Sequence, residues 1–133
     1  MKPRMAVCNV AVNDLAKSRA FYEGMGFKAR PESDERRVFF ELEWTWLALF
    51  TYSSLAASSG TPAQVSEPPA FCFSHFTRTP EEVDEVISLA VSLGGSVVIE
   101  PSTRGSGRSG YFADLDGYRW EVAYSPRWMV LAD

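Results

Sequence analysis

Tyr111-Phe112-Ala113-Asp114-Leu115-Asp116-Gly117-Tyr118-Arg119-Trp120-Glu121-Val122-Ala123-Tyr124 lies without a gap over Phe39-Phe40-Glu41-Leu42-Glu43-Trp44-Thr45-Trp46-Leu47-Ala48-Leu49-Phe50-Thr51-Tyr52. Aromatic falls on aromatic at both ends, and each copy reads as two β-prone runs about a turn, the later one marked by Asp116-Gly117. One hairpin written twice in a short chain is an internal repeat, so the rest of the chain is read for a second copy of whatever surrounds it.

Upstream of each hairpin stands a helix. Thr79-Pro80-Glu81-Glu82 is a capping box with proline at the first helical position, Val83, Val86, Ile87, Ala90 and Leu93 mark one face, and Gly94-Gly95 ends it. In the first half Asn13-Asp14 caps a helix whose Leu15, Ser18, Phe21, Tyr22 and Met25 share a face, closed by Gly26. Leu15 aligns with Val83 and Gly26 with Gly94. Each helix follows a short β-prone run, Ala6 to Val12 and Phe71 to Thr77, and precedes another strand that leads to the hairpin.

The order is therefore βαβββ twice: a first module over 5–52, a linker rich in Ser, Ala, Gly and Pro over 53–69 that also suits a flap, a second module over 70–124, and an apolar C-terminal tail over 125–133. The tail is expected to cover a sheet edge or a partner subunit. The fold class is α+β in a single domain of residues 1–133. A βαβββ unit leaves one sheet face bare, so two units are expected to curve their mixed sheets into a half-open barrel around a cavity.

Composition narrows the functions. In 133 residues, 46% hydrophobic and 14% aromatic, there is material for a core, and 13 basic against 17 acidic residues give a net charge of −4. That balance lacks the basic stripe of a nucleic-acid reader, and no apolar run approaches the roughly 20 residues that span a bilayer. Nucleic acid and membrane are not expected as partners. Met1 to Met5 lead straight into a strand-like segment without a signal core, which gives a cytoplasmic expectation. Cys8 and Cys72 form no disulfide framework or zinc spacing and read as small hydrophobes.

Val12 to Phe27 resembles the first helix of glyoxalase and bleomycin-resistance proteins, and Gly107 to Val122 resembles that family's closing signature, a strand, an Asp-Gly turn and a strand with a Trp-Glu pair. The resemblance, to the vicinal-oxygen-chelate superfamily with its dioxygenase-like members, runs over nearly the whole chain. It implies paired βαβββ modules, frequently a homodimer, and in the enzymes one divalent metal held by donors on the first and last strand of each module. Those positions fall on Val7, Cys72, Leu49 and Glu121. Only Glu121 is a good ligand, so no metal and no other cofactor is expected. A divalent metal would enter only if His75 or Cys72 joined Glu121. An alternating strand sets His75 on the helix side with Phe71 and Phe73, unless a one-residue bulge reverses it.

The cavity face is expected to collect Val7, Asn9 and Ala11, then Leu47, Leu49 and Thr51, then Cys72, Ser74 and Phe76, then Arg119, Glu121 and Ala123. Asn9, Leu49, Cys72, Ser74, Arg119 and Glu121 are the expected ligand contacts, and Glu121 is the candidate catalytic group, its alternative being an ordinary pairing with Arg119 at i, i+2. Arg104 to Gly110 is donor-rich and reads either as a flap over an anionic group or as a plain surface connection. The favoured function is metal-independent binding of a small organic molecule, a drug or metabolite, by a homodimer. The alternatives are a lyase or dioxygenase-like enzyme, metal-dependent only with a different strand register, a metal-free enzyme with Glu121 as general base, and an interaction module with a vestigial cavity.

Overall fold

The computed structural model describes residues 1–133, and the chain divides into two units, Met1–Ser66 and Glu67–Asp133. The boundary falls inside the stretch expected to link the modules. In the first unit β1 (Val7–Val12) leads to α1 (Leu15–Gly24), then to β2 (Arg37–Glu41) and β3 (Trp46–Thr51), in the sheet order β1-β3-β2. The strand expected after α1 shrinks to a single bridge, Ala29 to Phe40, because Gly26 ends the helix turn and Pro31 interrupts pairing soon afterwards. The second unit is complete: β4 (Cys72–Phe76), α3 (Pro80–Ser92), β5 (Ser96–Arg104), β6 (Gly107–Ala113) and β7 (Arg119–Tyr124), in the order β4-β7-β6-β5. In both sheets the first strand pairs parallel with the last, and the last pairs antiparallel with the one before it.

The helix ends follow the sequence signals. Asp14 accepts a hydrogen bond from Lys17 N at 3.0 Å, Thr79 from Glu82 N at 3.3 Å, and Glu82 reaches back to Arg78 N at 2.9 Å. Gly26 and Gly94 close their helices at φ 103 and 104, a region that a side chain would strain. Each helix buries its apolar face on one side of its sheet. Tyr22 of α1 packs against Phe27 and Phe40, while Val83, Ile87 and Ala90 of α3 are buried over the second sheet.

Two segments differ from the expectation drawn from composition. Residues 53–59, expected as linker, form with Tyr52 the helix α2 (Tyr52–Ser59), capped by Thr51, whose hydroxyl accepts from Ser54 N, and closed by Gly60 at φ 74. Its Leu55 packs on Ala11, Ala48 and Phe50, the sheet face away from α1, so an apolar anchor turns small-residue linker chemistry into a fixed element. The tail from Pro126 to Leu131 folds into 3-10 turns beside β4, the edge strand, and Arg78 pairs with Asp133 at 2.9 Å. The tail thus lies along a sheet edge, as the first of the two roles expected for it requires. No helix is long and apolar enough to cross a membrane.

Arg104 to Gly110 is the tip of the β5–β6 hairpin, turning at Gly105 with φ 59. Arg108 is held by both oxygens of Asp84 on α3, at 2.6 and 2.7 Å, and by Thr103 at 3.1 Å, so its guanidinium is committed to the fold rather than offered to a ligand. Gly110 is required for close packing of α3: a Cβ there would stand 2.8 Å from Ile87 Cδ1, 3.0 Å from the carbonyl oxygen of Ile99 and 3.0 Å from Cα of Pro101. Two of those atoms are backbone. Gly110→Ala is expected to lower stability by about 1–3 kcal/mol, as overpacking does, and a urea denaturation midpoint unchanged from the parent would refute it.

Candidate functional site

The face of each sheet away from its main helix, α1 or α3, is called its open face. On the second sheet, Cys72, Ser74 and Phe76 of β4 stand in register with Arg119, Glu121 and Ala123 of β7, and β6 sets Ala113, Tyr111 and Ser109 opposite the same three. Side chains paired across a ladder share a face, so these nine line the open face and alternate with Phe73, Phe112, Trp120 and Val122 on the α3 side. At the centre, Ser74 Oγ donates to Glu121 Oε2 at 2.7 Å, and Tyr111 of β6 is the register partner of the same glutamate. Glu121 is half-buried, and Cys72 and Ser74 are exposed.

The Ser74 hydroxyl holds the Glu121 carboxylate and supplies no positive charge. Arg119, two residues away on the same strand and face, makes no ion pair with it, so the i, i+2 pairing allowed by the sequence is not formed. The Tyr111 phenol is pushed above its ordinary value, first by desolvation, then by the negative charges of Glu121 and Cys72. It stays a hydrogen-bond donor throughout the neutral range. Sequence reasoning passed over Tyr111, although the hairpin turn places it opposite Glu121.

The first sheet carries an apolar counterpart. Asn9 of β1 stands beside Ala48 of β3, and Ala48 beside Phe39 of β2, in the places that Ser74, Glu121 and Tyr111 hold in the second module. Leu49, expected as the partner of Glu121 and as a ligand contact, lies instead on the α1 side and is fully buried, in register with Val10 and Val38. Leu47 and Thr51 share that side. The correction has a simple origin. The second hairpin turns through Asp114 to Tyr118, one residue more than Leu42 to Thr45 in the first, so a gapless alignment slips by one along the last strand and reverses every side chain.

Asn9 is exposed on its open face, though in the unit opposite in sequence to Glu121, and much of that face is taken up by Leu55 of α2. Trp46 lies there under the guanidinium of Arg30, 4.7 Å from the ring centre, with Arg30 also bound by Glu32 and Glu41. His75 lies on the α3 side, as the alternation required, with Val122 as its register partner. Cys8 likewise faces α1, where burial raises its thiol pKa, whereas Cys72 is exposed on the open face.

A model of the glyoxalase/bleomycin resistance protein/dioxygenase superfamily matches residues 4–122. The chain belongs to this superfamily. Its fold is similar to that of a glyoxalase-related enzyme from Fulvimarina pelagi, at 28% identity and TM-score 0.85 over 93% of this chain and 89% of that one. A hypothetical protein from S. aureus is similar at 29% identity and TM-score 0.81, covering 94% and 95%. The fosfomycin resistance protein of Listeria monocytogenes, at 23% identity, TM-score 0.71 and coverage of 94% and 95%, shares the fold. No curated protein matches the sequence significantly.

The superfamily's metal does not fit the donors present here. With the observed registers, the last-strand position of the first module is Ala48 rather than Leu49, and neither has a donor atom. The second module offers one carboxylate, Glu121, beside the thiol of Cys72 and the hydroxyl of Ser74, and nowhere do three His, Cys, Asp or Glu side chains gather to hold an ion.

The Tyr111 shift gives a titration test. A phenol raised in the fold adds stability that is intact below pH of about 10 and is lost as pH rises through its folded pKa. In a spectrophotometric titration Tyr111→Phe is expected to remove a late-ionising phenol, and Glu121→Gln to make that phenol ionise earlier. An unchanged profile in Glu121→Gln would separate the two groups.

Proposed function

We propose that this superfamily member binds a small organic molecule on the open face of its second sheet without a metal, with Glu121 as the fixed polar anchor. The observation that carries the reading is the Ser74–Glu121–Tyr111 cluster: a half-buried carboxylate held by the Ser74 hydroxyl, with the Tyr111 phenol as its neighbour across the ladder and no ion pair to a cation. A binding site needs a few polar groups held in place among apolar ones, and Phe76, Ala113 and Ala123 on the same face supply the latter. The donor set argues against chelation. General acid–base work needs a second group that exchanges protons near neutral pH, and Tyr111 is shifted away from that range. Binding is therefore favoured over turnover, although the likeness to a glyoxalase-related enzyme keeps a metal-free reaction at Glu121 within reach of the same test. Homodimer formation, frequent in the superfamily, and a cytoplasmic location in which both free thiols stay reduced complete the proposal.

Cys72 is a built-in reporter, because it is exposed on the open face while Cys8 is partly buried and its thiol is raised. Iodoacetamide is expected to modify Cys72 well before Cys8. A fragment library screened in the presence of EDTA should yield compounds that slow Cys72 alkylation several-fold, and Glu121→Gln should remove most of that protection. Ligands that bind only with added divalent metal, or that bind and leave Cys72 fully reactive, would overturn the reading. Conversion of a bound fragment by the parent protein, lost in Glu121→Gln, would replace binding with catalysis.

A further inference from the structure

Arg36 and Arg37 enter β2 side by side, both exposed, and neither makes an ion pair with a carboxylate of the chain. The acid beside them is engaged elsewhere. One oxygen of Asp34 accepts from Arg36 N at 2.8 Å and from Arg37 N at 3.1 Å, so this carboxylate fastens the backbone and caps no guanidinium. The carbonyl of Arg36 is taken in turn by Thr51 N and Ser54 Oγ, each at 3.2 Å, which ties the segment to the start of α2. The Arg37 guanidinium lies 5.4 Å from the centre of the Phe39 ring, a contact that orients the charge without neutralising it. Both arginines open on a cleft of about 570 Å³, which Ser53, Ser54 and Ala57 of α2 also line and in which Phe50, the register partner of Arg37, forms part of the wall. That volume falls in the range of small-molecule sites, about 300–1,000 Å³.

We infer that this cleft binds an organic phosphate monoester, its phosphoryl group on Arg36 and Arg37 and its organic part against Phe50 and Ala57. Every residue of the lining belongs to the first unit, so the inference stands independently of the open face of the second sheet. A guanidinium keeps its charge at any accessible pH and presents its N–H groups as a planar fork. Two such forks offer more donors than the two oxygens of a carboxylate can use, whereas a phosphoryl group has three oxygens and a charge of about −1.5 to −2 at neutral pH. Asp34 lines the same cleft, and its negative charge repels an anion from its own side, which leaves the guanidiniums as the place for the phosphoryl group. The side chains of Phe50 and Ala57 have no hydrogen-bonding group, so their part of the wall suits an apolar ring rather than a second charge.

The test uses phenyl phosphate, benzoate, which keeps the ring and carries a carboxylate instead, and inorganic phosphate, which lacks the ring. Each is titrated calorimetrically into the full chain and into Arg36→Gln, Arg37→Gln and Arg4→Gln, the last removing an exposed charge outside the cleft, with circular dichroism confirming that the variants fold. Phenyl phosphate is expected to bind about tenfold more tightly than either other probe, and Arg36→Gln and Arg37→Gln are each expected to weaken it about tenfold while Arg4→Gln leaves it unchanged. No binding of phenyl phosphate, either other probe matching it, affinity kept in Arg36→Gln or in Arg37→Gln, or an equal loss in Arg4→Gln would each overturn the inference. The rate of Cys72 alkylation by iodoacetamide should be the same with and without phenyl phosphate. Protection of Cys72 would put this probe on the open face of the second sheet, which would sink the present inference and leave the proposed function standing.

Discussion

The carboxylate of Asp114, buried at the tip of the β6–β7 hairpin, accepts hydrogen bonds from Asp116 N and Tyr118 N, both at 2.9 Å, while Gly117 takes the φ of 85 that the turn requires. An aspartate that satisfies backbone donors within its own turn fixes the number of residues in that turn, and the number fixes which face each residue of the returning strand takes. All of β7 depends on it. With Asp114 to Tyr118 as the turn, Glu121 meets Tyr111 and Ser74 on the open face, and Trp120 and Val122 go to α3; one residue fewer would exchange the two sets.

The same constraint explains how two copies of one module diverge. In the first, the turn from Leu42 to Thr45 brings Ala48 to the open face, beside Asn9 and Phe39, and Leu55 of α2 packs down on that face to join Ala11, Ala48 and Phe50. An alanine leaves room for the leucine. In the second, the corresponding place holds a carboxylate whose charge must keep access to water or to donors, which no apolar helix could cover without cost. One sheet thus spends its free face on packing, and the other keeps its free face for polar contacts.

Charge placement divides the arginines. Arg30, Arg78 and Arg108 are each bound to carboxylates of the chain, and their guanidiniums serve a loop, the tail and the α3 contact respectively. Arg119 differs from these in having no acid partner while lying two residues from an acid similarly without a base. The serine hydroxyl at Ser74 holds that acid without quenching its charge, and the Tyr111 phenol beside it adds no charge in the neutral range, so the open face carries a carboxylate that is not closed into an ion pair.

The sequence by itself determined the modules, both main helices with their caps, and the open-face membership of Cys72, Ser74, Arg119 and Glu121 against the helix-side membership of His75 and Trp120. Those follow from periods of 3.6 and 2 and from capping chemistry, which act over a few residues. Tertiary structure alone decided the place of Leu49, the role of α2 and the partnership of Tyr111. Leu49 was misplaced because register along a strand inherits the turn length, and a gapless alignment of two hairpins hides a difference of one residue. Residues 53–59 looked like linker because Ser and Ala give no period, and only the contact of Leu55 with residues distant in the chain makes a helix worth forming there. Tyr111 gained its role from a neighbour across the ladder, and pairing across a ladder is a property of the folded sheet.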